Sequence, residues 1–155
     1  ENIICIMPGA DDNGHYVTNL RNLAKKYNVL GKMVFLPFLD DLPAAYMLAD
    51  VVVAPSLKPE PFGRVIIEAQ AMGRPVISFD HGGASESIKN NITGLLVEPK
   101  NEKELGNAIE KLINMTEMQR NNMANSSRKH IVNKFSLDKM NRETIKLYSE
   151  VLKIK

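Results

Sequence analysis

PSLKPEPFGRVIIEAQAMG, residues 55–73, holds two carboxylates in contrasting settings. Glu60 stands in a loop between Pro59 and Pro61, whose rings restrict the backbone on either side. Glu68 falls inside an apolar run made of Val65, Ile66, Ile67, Ala69 and Met72, where an acid needs a partner. A helix starting near Phe62 and Gly63, directly after the rigid Pro61, leaves its first amides without acceptors. Together with the helix macrodipole these form an anion site that stabilises a negative charge by about 0.3–1 kcal/mol. Gly63 lets a phosphate come close. Glu68 then lies roughly 8–9 Å along the axis from the helix start, at about 1.5 Å per residue. A carboxylate repels phosphate but accepts hydrogen bonds from vicinal hydroxyls. Two carboxylates on either side of an anion site therefore fit a nucleoside-diphosphate sugar. A structural reading stands beside this one: Glu60 as a loop acid, and Glu68 paired with Arg64 one turn earlier or with Arg74.

Outward from this stretch, short β-branched runs alternate with helical patterns, which predicts a parallel sheet covered by helices on both faces. The expected strands are 2–7, 33–36, 51–54, 76–79 and 95–97. Val17, Leu20, Ala24 and Tyr27 recur at helical spacing and predict a helix over 14–28, ended by Gly31. His15 is expected to be exposed at its start, since no second ligand stands at metal spacing to it. LPAAYMLAD, residues 42–50, predicts a short helix capped by Asp40 or Asp41. This leaves Phe38 and Leu39 on a loop at the carboxyl end of a strand, either covering the sheet's edge or facing a ligand. In FDHGGASESI, residues 79–88, Gly82 and Gly83 permit a tight turn before another helix start. Three helices follow, at 101–113, 117–134 and 138–153, with Asn101 and Glu104 as a capping pair and Ser136 or Asp138 as a later cap. Arg120, Arg128, Lys129, His130 and Lys134 read as a solvated helix face rather than an anion or membrane site.

Bulk properties exclude several classes. The chain has 155 residues, 44% hydrophobic, which suits a single domain over its whole length. A net charge of +2 is too small for a nucleic-acid or membrane-surface footprint. No apolar run approaches the roughly 18 residues of a transmembrane helix. One cysteine, Cys5, in an apolar run reads as a core residue in a reducing compartment. The chain begins on a strand-like run without a methionine, as a piece of a longer protein would.

The run PEPFGRVIIEAQAMGRPVISFDHGGASESI followed by GLLVEP, preceded by VFLPFLDDLPAAYMLADVVVAPS, resembles the retaining glycosyltransferases of family four. Their motif is two Glu separated by seven residues, in the second of two facing Rossmann-like domains, the GT-B arrangement. The resemblance is close over about residues 33–100, and its wording is similar to bacterial enzymes of lipopolysaccharide and related glycan assembly. It implies an α/β, Rossmann-like, donor-binding half with extra C-terminal helices. By the same token Glu60 would lie at the donor sugar, and Phe62, Gly63 and Arg64 at the diphosphate. Glu68 would hold the ribose hydroxyls, Pro37 and Phe38 would flank the base, and His81, Gly82 and Gly83 would line the pocket. The implied reaction moves a hexose-type sugar, with retention, from a nucleoside diphosphate to an acceptor hydroxyl of a glycan or lipid. No metal and no cofactor beyond the donor is expected, and no nucleic acid. The expected location is cytoplasmic, with room for the full-length protein at the inner face of a membrane. Family members carry, ahead of the region matched here, a central strand followed by an Arg and a Lys at the diphosphate, and an N-terminal acceptor domain. The full-length protein is thus expected to be a hexosyltransferase, and the isolated chain, without these parts, to be inactive. Two alternatives stay open: a non-catalytic nucleotide-binding or assembly module of the same fold, and, ranked lower, a sugar-nucleotide epimerase.

Overall fold

Val76–Phe79 is the best-covered strand of the chain, with all four residues buried. Alternation along it feeds two cores. Ile77 and Phe79 join Leu95, Val97, Ala108, Leu112 and Met123, while Val76 joins Ile66, Ala69, Ala84 and Ile88. A strand sandwiched between helices must be apolar on both faces, which is why this one reads as an unbroken hydrophobic run.

The computed structural model describes residues 3–10 and 14–152. In chain order the elements are β1 (Cys5–Met7), α1 (His15–Lys26), a single 3-10 turn (Leu30–Lys32), β2 (Met33–Phe35), α2 (Leu42–Leu48), β3 (Val52–Ala54) and α3 (Arg64–Ala71). Then follow β4 (Val76–Phe79), α4 (Ala84–Ser87), β5 (Leu95–Val97), α5 (Glu102–Ile113), α6 (Glu117–Phe135) and α7 (Leu137–Leu152). Every strand pairing is parallel, in one sheet of order β1-β2 and another of order β3-β4-β5. The predicted ends at Asn2 and Lys153 lie outside the described residues. Contacts group the chain into two compact units, with the boundary between Ala45 and Tyr46.

In the first unit, β1 is largely exposed, including Cys5. This corrects the core reading of that cysteine: among the described residues β1 pairs with β2 alone, and Ile6 in the strand and Ile4 just before it are 50% and 63% exposed. α1 buries Val17 and Ala24, and the Arg21 guanidinium lies 4.4 Å from the centre of the Phe35 ring of β2. Asn28, not Gly31, ends α1. It takes the left-handed conformation (φ 56°), with its amide on the Lys25 carbonyl and the Val29 amide on Ala24. His15 is exposed at the helix start, as expected.

In the second unit, α3 is closed by the same device, with Gly73 left-handed (φ 68°), its amide on Gln70 and that of Arg74 on Ala69. α5 is capped by Asn101, whose side chain accepts from the Glu104 amide at 3.0 Å. The Glu104 carboxylate turns instead to the Glu98 amide at 2.9 Å. Thr116 and Gln119 form a full capping box on α6, and Ser136 accepts from the Lys139 amide in the first turn of α7. The basic residues of α6 are not merely solvated. Arg128 donates to the Ala71 carbonyl at the end of α3, Lys134 to Glu86, and Arg120 to Asp50 and Ile113. They satisfy carbonyls that the helix and strand ends leave open, and a cation at a helix C-terminus also matches its dipole. Among the described residues no helix is long and apolar enough to cross a membrane.

Candidate functional site

The loops after β3 and β4 leave the carboxyl ends of neighbouring parallel strands, where open α/β sheets bind ligands. They are locked together. Gly83 donates its amide to the Glu60 carbonyl at 2.8 Å, and His81 Nε2 lies 2.9 Å from the Ser56 carbonyl. A carbonyl only accepts, so Nε2 carries the hydrogen and a neutral ring leaves Nδ1 as an acceptor. That Nδ1 is buried and has no hydrogen-bond partner among the described residues. The glycine pair is required by this docking: a Cβ on Gly82 would stand 2.5 Å from the Glu60 carbonyl oxygen, and one on Gly83 2.7 Å from that of Pro61. The sequence reading assigned these glycines to the pocket lining; their immediate effect is to let the Glu60 loop sit down on the second loop.

α3 begins as expected, one residue past Gly63. Gly63 is left-handed (φ 71°), a backbone state that suits glycine. The first intrahelical donor is Ile66, whose amide bonds the Gly63 carbonyl at 3.0 Å. The amides of Gly63, Arg64 and Val65 therefore precede the ladder and have no acceptor within the helix. Next to them is a shallow, open recess lined by residues that include Ser56, Glu60, Gly63, Ser78 and His81. Glu60 is exposed, and the Ser56 hydroxyl donates to its Oε1.

Glu68 is partnered on both oxygens. Arg64 donates to Oε1 from Nε at 3.1 Å and from its terminal nitrogen at 2.8 Å, and the Tyr46 hydroxyl donates to Oε2 at 3.0 Å. The ion pair with Arg64 anticipated as a structural alternative is thus formed, while Arg74 goes to the Ala49 carbonyl at 3.4 Å. Burial, then the Glu68 carboxylate, push the Tyr46 phenol up to about 12, so it remains a donor at any ordinary pH. Phe62 packs edge-to-face on Phe135 of α6, with ring centres 5.9 Å apart. Pro37 and Phe38 belong to the first unit, after β2, with Phe38 77% exposed. The second unit brings together Glu60, Phe62, Gly63, Arg64, Glu68, His81, Gly82 and Gly83. Tyr46, Ser56 and Phe135 were missed from sequence. Tyr46 carried only one weak signal, a phenol on a short apolar helix, and its partner is 22 positions away. No group of three His, Cys, Asp or Glu at metal-binding geometry occurs among the described residues.

Parallel strands joined by helices, with glycine-rich loops and a helix start at their carboxyl ends, are the layout of a Rossmann-like α/β domain. The family model for glycosyl transferases group 1 matches residues 1–130, and the chain belongs to that family, as the C-terminal domain of a GT-B fold. It is 35% identical over 145 residues to an uncharacterized glycosyltransferase of Methanocaldococcus jannaschii, covering 92% of this chain and 36% of that protein. A crystal structure of a glycosyltransferase from Rickettsia africae superposes with a TM-score of 0.91 at 33% identity, over 99% of this chain and 41% of that one. HepE of Anabaena in complex with UDP superposes with a TM-score of 0.89 at 29% identity, over 96% of this chain and 41% of its own. The chain thus spans about two fifths of the length of these relatives.

Proposed function

We propose that the chain binds the donor of a glycosyl transfer, a nucleoside-diphosphate hexose, and that the protein carrying it transfers the sugar with retention to an acceptor hydroxyl of a glycan or lipid, as in lipopolysaccharide assembly. The observation that supports this most is the start of α3, where the amides of Gly63, Arg64 and Val65 have no acceptor within the helix and lie between Glu60 and Glu68 in the chain. The diphosphate takes those amides, Glu68 accepts from the ribose hydroxyls, and Glu60 with the unpartnered Nδ1 of His81 accepts from the sugar. Anabaena HepE has also been crystallised with UDP-glucose, which favours this donor class. The leaving diphosphate gains from preorganised amides, and the rate from positioning of the acceptor. Cytoplasmic location, at or near a membrane face, goes with such donors.

Calorimetric titration of the chain with UDP-glucose, GDP-mannose and ADP-glucose tests the reading. Binding of one of them, weakened at least tenfold by Glu68→Ala, is the expected result; no heat with any of them sinks the donor site. A second reading, a domain that keeps the fold without turnover, is favoured by the pairing of Glu68 with Arg64 and Tyr46. Sugar transfer by the full-length protein, lost in Glu60→Ala, would exclude it. Appearance of an epimerised nucleotide sugar without acceptor would point to epimerase chemistry instead.

A further inference from the structure

The two partners of Glu68 differ in how firmly they are held. Arg64 reaches Oε1 from one turn back on the same helix, and its side chain is 81% exposed. An ion pair so exposed is worth about 0–1 kcal/mol, so the guanidinium swings away at little cost. Tyr46 reaches Oε2 from α2, and its ring packs against the cluster of Ile66, Ala69, Val76, Ala84 and Ile88. Moving it would open apolar contacts. One oxygen of Glu68 is therefore held by a fixed donor and the other by a removable one. The Glu68 side chain is 31% exposed, so the carboxylate is accessible on its remaining lone pairs. A carboxylate anchored at one oxygen presents its other lone pairs in a set direction, and a vicinal diol needs two acceptor sites so aligned.

Resting on the reading of Glu68 as the acceptor for ribose hydroxyls, we infer that Tyr46 is a positioning residue, orienting the Glu68 carboxylate toward the 2′,3′-diol of a nucleoside diphosphate and setting the preference for ribose over 2′-deoxyribose. Arg64 is the exchangeable partner, displaced from Oε1 when the diol arrives.

The test is calorimetry on the full chain with UDP, GDP and ADP and their 2′-deoxy counterparts. Wild type is expected to favour the ribonucleotide. Tyr46→Phe, which removes one oxygen and keeps the ring, is expected to weaken the ribonucleotide about 3- to 10-fold, the range of one net hydrogen bond, and to leave the deoxynucleotide nearly unchanged. Adding Tyr46→Phe to Glu68→Gln should narrow the ratio no further, and Arg64→Ala should not narrow it. Because the ratio is taken within each variant, a smaller folded fraction cancels. An unchanged ratio in Tyr46→Phe, or equal weakening of both sugars, would overturn the assignment of Tyr46 while leaving the donor site standing. Failure of all six nucleotides to bind wild type would remove the donor site and this inference with it.

Discussion

β4 and β1 look alike as sequence, short apolar runs of strand-forming residues, yet β4 is buried throughout and β1 is largely exposed. The difference lies in their neighbours. β4 pairs with β3 on one side and β5 on the other and is packed against both hydrophobic cores. Among the described residues β1 pairs with β2 only, and the first unit buries few large side chains. An apolar run states what a strand is able to bury; whether it does so depends on what the rest of the chain lays against it. The elements that build the candidate site all belong to the well-covered unit, which suits a site that must hold groups in place.

Truncation should separate the two strands most sharply. Ile77, 0% exposed in β4, is expected to cost about 2–5 kcal/mol on substitution by Ala, whereas Ile6→Ala at a half-exposed position should cost under about 1 kcal/mol. Guanidinium unfolding of the two variants measures this, and equal losses would break the comparison. Glycine substitutions sharpen it further. Gly9 and Gly82 both have positive φ, but a Cβ on Gly9 meets nothing within 4 Å while one on Gly82 meets Glu60. Gly9→Ala should cost about 1 kcal/mol for the backbone alone. Gly82→Ala should add about 1–3 kcal/mol of overpacking and weaken donor binding as the Glu60 loop lifts, read by melting and by calorimetry.

A smaller contrast lies in helix starts. α6 has a complete capping box at Thr116, whereas α1 begins at Gly14 with no side-chain cap. Thr116→Ala should cost about 1 kcal/mol, and Gly14→Asp should gain a few tenths, both visible in denaturant midpoints. The smallest expected effect is a pH dependence. The pKa of His130 is lowered, first by burial and then by Lys89 and Lys134. The folded chain therefore favours the neutral ring, and the unfolded chain binds more protons as pH falls below the ordinary histidine value of about 6.5. Stability should decline from there downward until the lowered pKa is passed, and His130→Asn should flatten that part of the melting-temperature profile.

Much of this was legible in local pattern. β4 and β5 fall on the residues their apolar runs mark, and α3 starts within a residue or two of the position set by Pro61 and Gly63. Asn101 caps α5 as the spacing requires. Misreadings came where the deciding contact is distant. The apolar neighbours of Cys5 point to a core position, but burial needs a covering element that its own local sequence does not contain. The basic residues of α6 read as solvated because their partners, carbonyls of Ala71 and Glu86, are backbone groups 57 and 48 positions away.

By itself the sequence determined the element types, the parallel α/β class and the acid, glycine and acid of residues 60–68, because these follow from backbone sterics and from periodicity over a few neighbouring residues. Only the tertiary structure decided which apolar runs are buried, that Gly82 and Gly83 seat the Glu60 loop, and that Glu68 is held between Arg64 and Tyr46. Those depend on side chains brought together across long stretches of chain, where the free energy comes from packing and desolvation that no local pattern encodes.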